Sequence, residues 1–430
     1  MSLNTASIYL EYFAIPETIV KQISEAETRL QERFDRLQTI KEFNQIKVLK
    51  SFQDSGLGQA DFFSSTGYGY GDTGREKTEI IFQKVFCAED ALVRPSIASG
   101  THALSTVLFS LLNAGDRMLC ASGDPYDTLQ EVIGIRGEEV GTLIEKGISY
   151  EAVSLLEGGQ IDYAALDKVL AARPFKLVEL QRSTGYSSRR AFTIAELEEA
   201  IAFIRSRQPD TIIMIDNCYG EFTEEKEPIE VGADIIAGSL IKNPGGGIAV
   251  SGGYIAGRKD LITRCINHLT APGLGKETGL TFNTTRTTLQ GFFLAPHITM
   301  EALRGALLFS EVFSAEGYPV IPSPEDPRSD IIQAIELKSP EKVVEFCRAV
   351  QQSASVGSTV TPYPWDMPGY TDKVVMASGG FIDGSSIEVS ADGPLREPYM
   401  VYYQGGLVYE QAKLACMLAL KRIRQLSEKA

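Results

Sequence analysis

The sequence predicts an α/β protein in which helices cover both faces of a mainly parallel sheet, followed by a small C-terminal α+β domain. From about residue 78, short apolar runs alternate with helical patterns, as in "ALVRPSI", "HALSTVLFSLL" and "TIIMID". Continuous apolar runs of this length are typical of strands that are buried on both faces. The proline-rich stretch "YPVIPSPEDPRSD" then indicates a domain edge.

These patterns divide the chain into three regions. We expect an N-terminal helical segment over residues 1–60, a large α/β domain over 61–315 and a small α+β domain over 316–430. In the first region, the apolar spacing of "PETIVKQISEAETRLQERFDRLQTI" predicts an amphipathic helix that packs on another element. A coiled-coil dimer is the alternative, but the segment holds too few heptads to favour it.

Composition and charge exclude several classes of protein. The formal net charge of −15 argues against nucleic acid and anionic membranes as partners, because both require a basic surface. The six cysteines show no CxxC spacing, which favours free thiols in a reducing compartment. The N-terminus lacks the pattern of a signal peptide, and no apolar run approaches the roughly 18 residues of a membrane span. We therefore expect a cytoplasmic protein.

Candidate site residues are those that end the apolar runs, because open parallel sheets bind ligands beyond the carboxyl ends of their strands. Gly100 and Thr101 open a helix, and a helix start with free N–H groups favours an anion such as phosphate. An ordinary helix cap is the alternative reading. Tyr126 follows the next strand in "DPYDTL", where a tyrosine is more often a packing residue.

A lysine and a carboxylate end two further strands. Asp216 closes "TIIMID", where burial requires a cationic partner, and Lys242 follows "GADIIAGSLI". The glycines Gly245 to Gly247 come after the lysine, whereas a P-loop places its glycines before it, so nucleotide binding of that type is excluded. Asp216 and Lys242 are either partners in a salt bridge or address one ligand together.

One ligand requires all of these groups, namely pyridoxal 5′-phosphate. A lysine amine forms a Schiff base with its aldehyde. A buried carboxylate keeps the pyridine nitrogen protonated, so that the ring can accept electrons. A tyrosine stacks on the ring, and a helix start binds the phosphate. The sequence therefore predicts a pyridoxal 5′-phosphate site around Lys242.

With these motifs the chain resembles the fold-type-I pyridoxal 5′-phosphate enzymes of the cystathionine γ-synthase and methionine γ-lyase group. It is most similar to a bacterial methionine γ-lyase-like family labelled "aluminum resistance" proteins. The likeness runs nearly end to end, through "STGYGYGDTGRE", "RPSIASGTHAL", "IDNCYGEF", "GSLIKNPGGGIAVSGGYIAG" and "SADGPLREPY". It implies the aspartate aminotransferase fold with a seven-stranded sheet, and a homodimer or homotetramer that shares its active sites between subunits.

The resemblance also implies a role for individual residues. It assigns Lys242 to the Schiff base, Asp216 to the pyridine nitrogen, and Tyr126 to ring stacking and to protonation of the departing thiol. Phosphate contacts fall to Gly100, Thr101 and Ser239. A tyrosine–arginine segment reaches the neighbouring subunit's cofactor, and its candidates here are Tyr68, Tyr70 and Arg75.

The chain departs from the group where the substrate binds. The group's carboxylate-binding arginine is replaced by Glu388, and Arg396 in "GPLREPY" is our substitute, because a guanidinium binds a carboxylate through two hydrogen bonds. A surface ion pair is the alternative role for Arg396. The segment "ELQRSTGYSSRR" also differs, so Gln181, Arg182 or Arg189 is a further candidate for contact with substrate.

The resemblance implies a lyase that cleaves a carbon–sulfur bond of methionine, cystathionine or cysteine by β- or γ-elimination. In that role Lys242, kept partly neutral by burial, removes the substrate's α-proton. Two alternatives remain open. One is another reaction of the same cofactor, such as transamination, aldol cleavage or γ-replacement. The other is a non-catalytic protein that binds pyridoxal 5′-phosphate for regulation.

Overall fold

The protein, seen in a computed structural model, is described for residues 5–138, 140–366 and 372–428. It divides into two compact units, which we describe separately: Phe43–Pro296, and Met1–Glu42 together with His297–Ala430. The sequence predicts domain boundaries after residues 60 and 315. In the structure, the chain passes from one unit to the other after residues 42 and 296.

The helices and strands follow one another along the described chain with few long gaps. The helices are α1 (Thr5–Phe13), α2 (Glu17–Arg29), α3 (Gln31–Asp54), α4 (Thr73–Val85), α5 (Gly100–Leu111), α6 (Asp127–Ile133), α7 (Tyr163–Ala172), α8 (Ile194–Arg207), α9 (Lys259–Leu269), α10 (Thr285–Ala315), α11 (Pro340–Gln352) and α12 (Tyr409–Ser427). The strands are β1 (Asp90–Arg94), β2 (Arg117–Cys120), β3 (Ser149–Ala152), β4 (Leu177–Gln181), β5 (Ile212–Asp216), β6 (Ile235–Ser239), β7 (Gly253–Gly257), β8 (Val320–Ile321), β9 (Ile332–Glu336), β10 (Val374–Ser378), β11 (Ser390–Pro394) and β12 (Met400–Gln404).

Phe43–Pro296 is built on one sheet, which has seven strands in the described residues, in the order β1-β7-β6-β5-β4-β2-β3. Strands β2 to β6 run parallel, and β7 is antiparallel to both of its neighbours. Each face of the sheet is covered by its own apolar cluster, since Val178 and Ile215 belong to one cluster and Leu177 and Met214 to the other. The predicted α/β fold with a mainly parallel seven-stranded sheet is confirmed.

The second unit contains a smaller sheet. Strands β8 to β12 form an antiparallel sheet in the order β10-β11-β12-β9-β8, which has five strands among the residues described. Helices α11 and α12 belong to the same unit. This arrangement confirms the predicted small α+β part of the chain.

Several helices begin where the sequence supplies a side-chain cap. The hydroxyl of Thr193 accepts the N–H of Glu196, whose carboxylate accepts the N–H of Thr193 in return, at the start of α8. Ser99 caps α5 by accepting the N–H of His102 at 3.0 Å. The amphipathic segment near the N-terminus forms two helices, because the chain turns at Leu30 between α2 and α3. Within the described ranges, no helix has the length and apolarity needed to cross a bilayer.

A carboxylic acid lies inside the large sheet. Glu179, in the middle of β4, is fully buried, and within the described residues no N–H or O–H group donates to its carboxyl oxygens, which face the weakly donating thiol of Cys120. Burial raises the pKa of Glu179 to about 8, and the negative charge of Asp216 on the neighbouring strand adds to the increase. Glu179 is therefore protonated in the folded protein at neutral pH.

This protonation makes the folding free energy depend on pH. An exposed glutamate titrates near pKa 4.3, so between about pH 4.3 and 8 the folded chain holds a proton at Glu179 that the unfolded chain lacks. Its contribution to stability is complete below pH 4.3 and declines by about 1.4 kcal/mol per pH unit up to pH 8. We expect Glu179→Gln to remove that decline, as measured by urea unfolding between pH 5.5 and 7.5. If the free energies of unfolding of the wild type and Glu179→Gln change with pH in the same way, Glu179 is ionised in the folded protein.

Candidate active site

The lysine of the predicted site lies directly beyond strand β6. Lys242 comes shortly after Ser239, which ends β6, and precedes the short turn Asn243–Gly245. A Cβ atom on Gly245 would lie 1.7 Å from the carbonyl oxygen of Leu240, so only glycine lets the chain fold back this tightly. The glycines after the lysine therefore shape the loop that presents its amine.

Asp216 ends β5, the strand next to β6, and is 2% exposed. Its Oδ1 accepts the backbone N–H of Cys218 at 3.0 Å. Burial raises the pKa of Asp216, and the positive charge of Lys242 opposes the rise. Among the described residues, Asp216 and Lys242 form no direct ion pair, and the Lys242 ammonium instead lies 4.0 Å from the centroid of the Tyr219 ring. The salt-bridge reading of the two residues is therefore wrong.

The charge of Lys242 differs from the sequence expectation. Burial lowers the pKa of its ammonium group, but the acidic side chains around it outweigh burial and raise that pKa above its ordinary value. These side chains are Cys218, Tyr219, Asp216 and Tyr126. The structure does not support the prediction that burial keeps Lys242 partly neutral, because Cys218, Tyr219 and Asp216 together outweigh burial and raise the pKa of the amine.

A small cradle lies at the start of α5. A Cβ atom on Gly100 would lie 3.3 Å from Sγ of Cys218, 3.4 Å from Cβ of Ser239 and 3.9 Å from Nζ of Lys242. Glycine at this position therefore leaves space beside the lysine and beside the first turn of a helix, where N–H groups attract anions. The structure brings three of the predicted phosphate and lysine residues together here, namely Gly100, Ser239 and Lys242.

Tyr126 is joined to the same helix start. Its hydroxyl lies 2.8 Å from Oγ1 of Thr101, which in turn lies 3.0 Å from Oγ1 of Thr128. Burial raises the pKa of the Tyr126 phenol, and the charge of Asp216 adds to the rise. The phenol is therefore protonated at neutral pH, and it can donate a proton but not accept one as a base.

The tyrosine–arginine segment separates into exposed and buried parts. Tyr68 and Tyr70 are 73% and 63% exposed, and their ring centroids lie 5.6 Å apart. Arg75, at the start of α4, is buried, and its guanidinium donates to the carbonyl oxygens of Gly69 at 2.8 Å and Gly279 at 2.7 Å. Arg75 therefore holds the loop that carries the tyrosines, and the structure gives no support to its predicted contact with a neighbouring subunit's cofactor.

Arg182 also has an internal role. Its guanidinium is fully buried and donates to Oδ1 of Asn217 at 2.9 Å and to Oγ1 of Thr223 at 3.1 Å, beside the carboxylate of Glu227. Arg182 thus fixes the loop that follows Asp216, a position that argues against the predicted contact with substrate. A buried cation can be satisfied by such a set of oxygens, which the sequence alone does not reveal.

Arg189 likewise binds its own segment. Its guanidinium donates to the carbonyl oxygens of Gln181 at 2.9 Å and Ser183 at 2.7 Å, and its plane covers the ring of Phe192. The guanidinium groups of Arg182 and Arg189 therefore both face protein oxygens.

Glu388, which stands where the group has its carboxylate-binding arginine, and Arg396, the proposed substitute, both lie in the other compact unit. Glu388 accepts the backbone N–H groups of Phe381 and Ile382, both at 2.8 Å, and so holds its own loop. The Arg396 side chain is about half exposed and lies 3.4 Å from the carboxylate of Asp372. Arg396 is therefore more accessible than Arg182. Its guanidinium forms a surface ion pair with Asp372, which is the alternative role that the sequence left open for it.

The sequence analysis assigned no role to Tyr219. This residue has a left-handed backbone, with φ of 70°, which is uncommon outside glycine and concentrates at functional sites. Nδ2 of Asn243 donates to its carbonyl oxygen at 2.9 Å, and the ring lies against Lys242. The only sequence signal was its place three residues after Asp216.

These residues fit pyridoxal 5′-phosphate. The cradle at Gly100 suits a phosphate, Asp216 is a buried carboxylate with one oxygen bound to a backbone N–H, and Lys242 supplies the amine. All of them lie at the carboxyl edge of parallel strands, where open α/β sheets bind their ligands.

Comparisons with known proteins agree with this fit. The profile of the methionine gamma-lyase family matches residues 19–424. A solved structure of a carbon-sulfur lyase involved in aluminum resistance from Clostridium novyi NT is 46% identical, with a TM-score of 0.94, over 98% of this chain and 100% of that chain. The protein YnbB of Bacillus subtilis (strain 168) is 44% identical over 410 residues, 95% of this chain and 97% of its own length.

A more distant structure shares the fold. The pyridoxal-5′-phosphate dependent protein YhfS from Escherichia coli is 15% identical, with a TM-score of 0.61, over 92% of this chain and 97% of that chain. The fold-type-I architecture, the resemblance to the methionine γ-lyase group and the cofactor predicted from the sequence are confirmed. Because the family match extends over nearly the whole chain, this protein belongs to the methionine gamma-lyase family of pyridoxal 5′-phosphate enzymes.

Proposed function

We propose that this protein is a lyase that cleaves a carbon–sulfur bond of a sulfur amino acid, namely methionine, cystathionine or cysteine, by β- or γ-elimination. One observation supports the proposal most strongly. In a member of this family, Lys242, Asp216 and the space beside Gly100 lie together at one edge of the sheet. The description of the Clostridium novyi NT relative as a carbon-sulfur lyase supports the same chemistry.

The bound cofactor supplies an aldehyde that bonds an amine and an aromatic ring that accepts the electron pair left at the substrate's α-carbon. Asp216 would stabilise positive charge on the ring nitrogen, because it is a buried carboxylate at the end of β5 whose charged form Lys242 favours. The first turn of α5, at Gly100 and Thr101, binds the phosphate. Each of these contributions comes from a side chain or backbone group that the sheet already positions.

Lys242 and Tyr126 handle protons. Lys242 would act as the base at the α-carbon once the cofactor is bound, because a cationic group held by Asp216 would offset the carboxylate's charge and lower the proton affinity of the amine. Tyr126 keeps its proton at neutral pH because burial raises the pKa of its phenol, so a proton is available there for the departing sulfur. The two residues thus have opposite roles, which their different surroundings impose.

Arg396 is the proposed contact for the substrate carboxylate. Of the arginines that the sequence singled out, its side chain is about half exposed, whereas Arg75 and Arg182 are buried against protein oxygens. Its ion pair with Asp372 is a surface interaction, which is weak enough for a carboxylate ligand to displace.

We also propose a homodimer, or a pair of homodimers, in which each subunit completes its partner's site. The support is the exposure of Tyr68 and Tyr70 on a loop that Arg75 fixes, because large exposed aromatic side chains are typical of protein contacts. The neighbouring Phe282 is 67% exposed as well. We propose the cytoplasm as the location, consistent with the free thiols of the cysteines in the described residues.

The reaction type is tested by its products. We expect the purified enzyme with pyridoxal 5′-phosphate to release a thiol, ammonia and an α-keto acid from at least one of the three amino acids. Lys242→Ala should lower kcat at least 10³-fold, because it removes the base. The exposed Lys259→Ala is the matched control and should retain full activity. Amino transfer to an added keto acid without thiol release would instead identify a transaminase.

The carboxylate contact is tested by the Michaelis constant. We expect Arg396→Ala to raise KM by about 10- to 100-fold, the effect of losing a charged hydrogen-bonded pair of roughly 1.5–3 kcal/mol, with a smaller change in kcat. Arg396→Lys should give an intermediate KM, since it keeps the charge but loses the paired geometry. An unchanged KM in Arg396→Ala would place the substrate carboxylate on another residue.

Shared active sites are tested by mixing two inactive proteins. One is Lys242→Ala, and the other carries Tyr68→Ala with Tyr70→Ala on the exposed loop. Random pairing makes half of the dimers hybrid, each with one intact site, so co-expression should restore about a quarter of wild-type activity. Hybrid dimers can be isolated with a different affinity tag on each subunit. If these hybrids have no activity, each subunit forms its active site alone.

A further inference from the structure

Gln181, the last residue of β4, has its side chain fully engaged inside the protein. Its Oε1 accepts the backbone N–H of Tyr126 at 2.8 Å, and its Nε2 donates to the carbonyl oxygen of Ser183 at 3.1 Å. Its own backbone N–H donates to Oγ of Ser122 at 2.8 Å. The sequence analysis considered Gln181 as a contact for substrate, but both ends of the amide face protein groups.

The register of the sheet places Gln181 beside the carboxylate of the site. Gln181 and Asp216 are directly paired at the end of the parallel β4–β5 ladder. Paired residues of neighbouring strands lie about 4.8 Å apart in the hydrogen-bonding direction, and their side chains emerge on the same face of the sheet. The bond from Gln181 to Tyr126 therefore starts one strand away from Asp216.

Gln181 accepts the backbone N–H of Tyr126, whose carbonyl oxygen accepts the N–H groups of Leu129 and Gln130 in the first turn of α6. Tyr126 follows Pro125 and precedes α6, and no side chain of its own caps that helix. Its hydroxyl, at the far end of the ring, lies 2.8 Å from Thr101 at the start of α5. The residue is thus held at its main chain by Gln181 and at its hydroxyl by Thr101, with the ring between the two.

We propose that Gln181 is a positioning residue that sets the Tyr126 ring relative to Asp216, the two side chains that would contact the cofactor ring. The inference rests on the proposed function, in which Tyr126 stacks on the cofactor and donates a proton. The β4–β5 ladder and one side-chain amide fix the spacing of the carboxylate and the tyrosine. A shift of 1 Å in such a group can lower the rate by about 10²-fold.

Gln181→Met tests the proposal, because methionine keeps the length of the side chain and removes both amide bonds. The chain offers a matched control in Gln351, which is also buried, accepts the N–H of Ser378 at 2.9 Å and donates to the carbonyl oxygen of Gly357 at 3.0 Å. Gln351→Met removes the same two kinds of bond from the other compact unit. Both variants should lose a similar amount of thermal stability.

The readouts are the visible circular dichroism of the enzyme loaded with pyridoxal 5′-phosphate, kcat and KM. We expect Gln181→Met to change the visible dichroism band and lower kcat at least tenfold, with KM changed less than threefold. Gln351→Met should leave all three values within twofold of wild type. A wild-type dichroism band and kcat in Gln181→Met, or equal losses in both variants, would overturn the proposal.

A second, more conservative variant tests the same proposal if Gln181→Met does not fold. Gln181→Asn keeps an uncharged amide but is one methylene shorter, so its oxygen no longer reaches the Tyr126 N–H. The proposal predicts the same change of the dichroism band with a smaller loss of stability. A wild-type band and kcat in folded, loaded Gln181→Asn would contradict it. The dichroism readout requires bound cofactor but not turnover, so a wild-type enzyme that binds the cofactor yet releases no thiol would refute the proposed function and leave this test intact.

Discussion

The parallel pairing of β4, β5 and β6 is the constraint on which the site depends. Parallel strands end at the same edge, so Gln181 and Asp216 are paired across one ladder, and Ala237 pairs with Asp216 across the next. The residues beyond these ends, which include Cys218, Ser239 and Lys242, then converge without any long-range side-chain bond between them. A one-residue slip in either ladder would turn each of these side chains to the opposite face of the sheet. The apolar clusters on the two faces prevent that slip, because it would bury polar groups and expose the core.

Buried acids dominate the electrostatics around this edge. Glu179 and Asp216 lie on neighbouring strands, and burial raises the pKa of both. The two differ in their surroundings, since Asp216 accepts a backbone N–H and faces the ammonium of Lys242, while Glu179 faces only the Cys120 thiol and the more remote charge of Arg189. Lys242 and the backbone N–H therefore favour the charged form of Asp216, whereas burial favours the neutral form of Glu179.

Arginines in and near the site serve the backbone more than the ligand. Arg75 binds carbonyl oxygens of the loop that carries Tyr68 and Tyr70, and Arg189 binds carbonyl oxygens at the end of β4. A guanidinium has five donors, so it can satisfy several carbonyl groups that no secondary structure pairs. Loops around an active site contain many such carbonyls, and their rigidity depends on these internal bonds.

The sequence by itself determined the fold class and the core of the site. Alternating apolar runs and helical patterns indicated the large sheet, and strand ends indicated Asp216 and Lys242, because these properties depend on residues close together in the chain. Strands β3 and β7 were not recognised, since β3 has no fully buried residue and β7 has a glycine at each end, so neither shows the long apolar run of the other strands. Likewise, Leu30 divides the predicted N-terminal helix without a glycine or proline to indicate the break.

Only the tertiary structure decided what each polar side chain contacts. Arg75, Arg182 and Arg189 look alike in the sequence as anion-binding residues, but all three donate to protein oxygens. Arg75 and Arg182 reach loops that are distant in sequence, and Arg189 binds carbonyl oxygens of its own segment. The protonated state of Lys242 and the role of Gln181 also arise from neighbours that are distant in sequence, such as Asp216 and Tyr126. Hydrogen bonds and charges act over a few ångströms in space, so the order of residues along the chain cannot specify them, whereas hydrophobic periodicity is a property of that order itself.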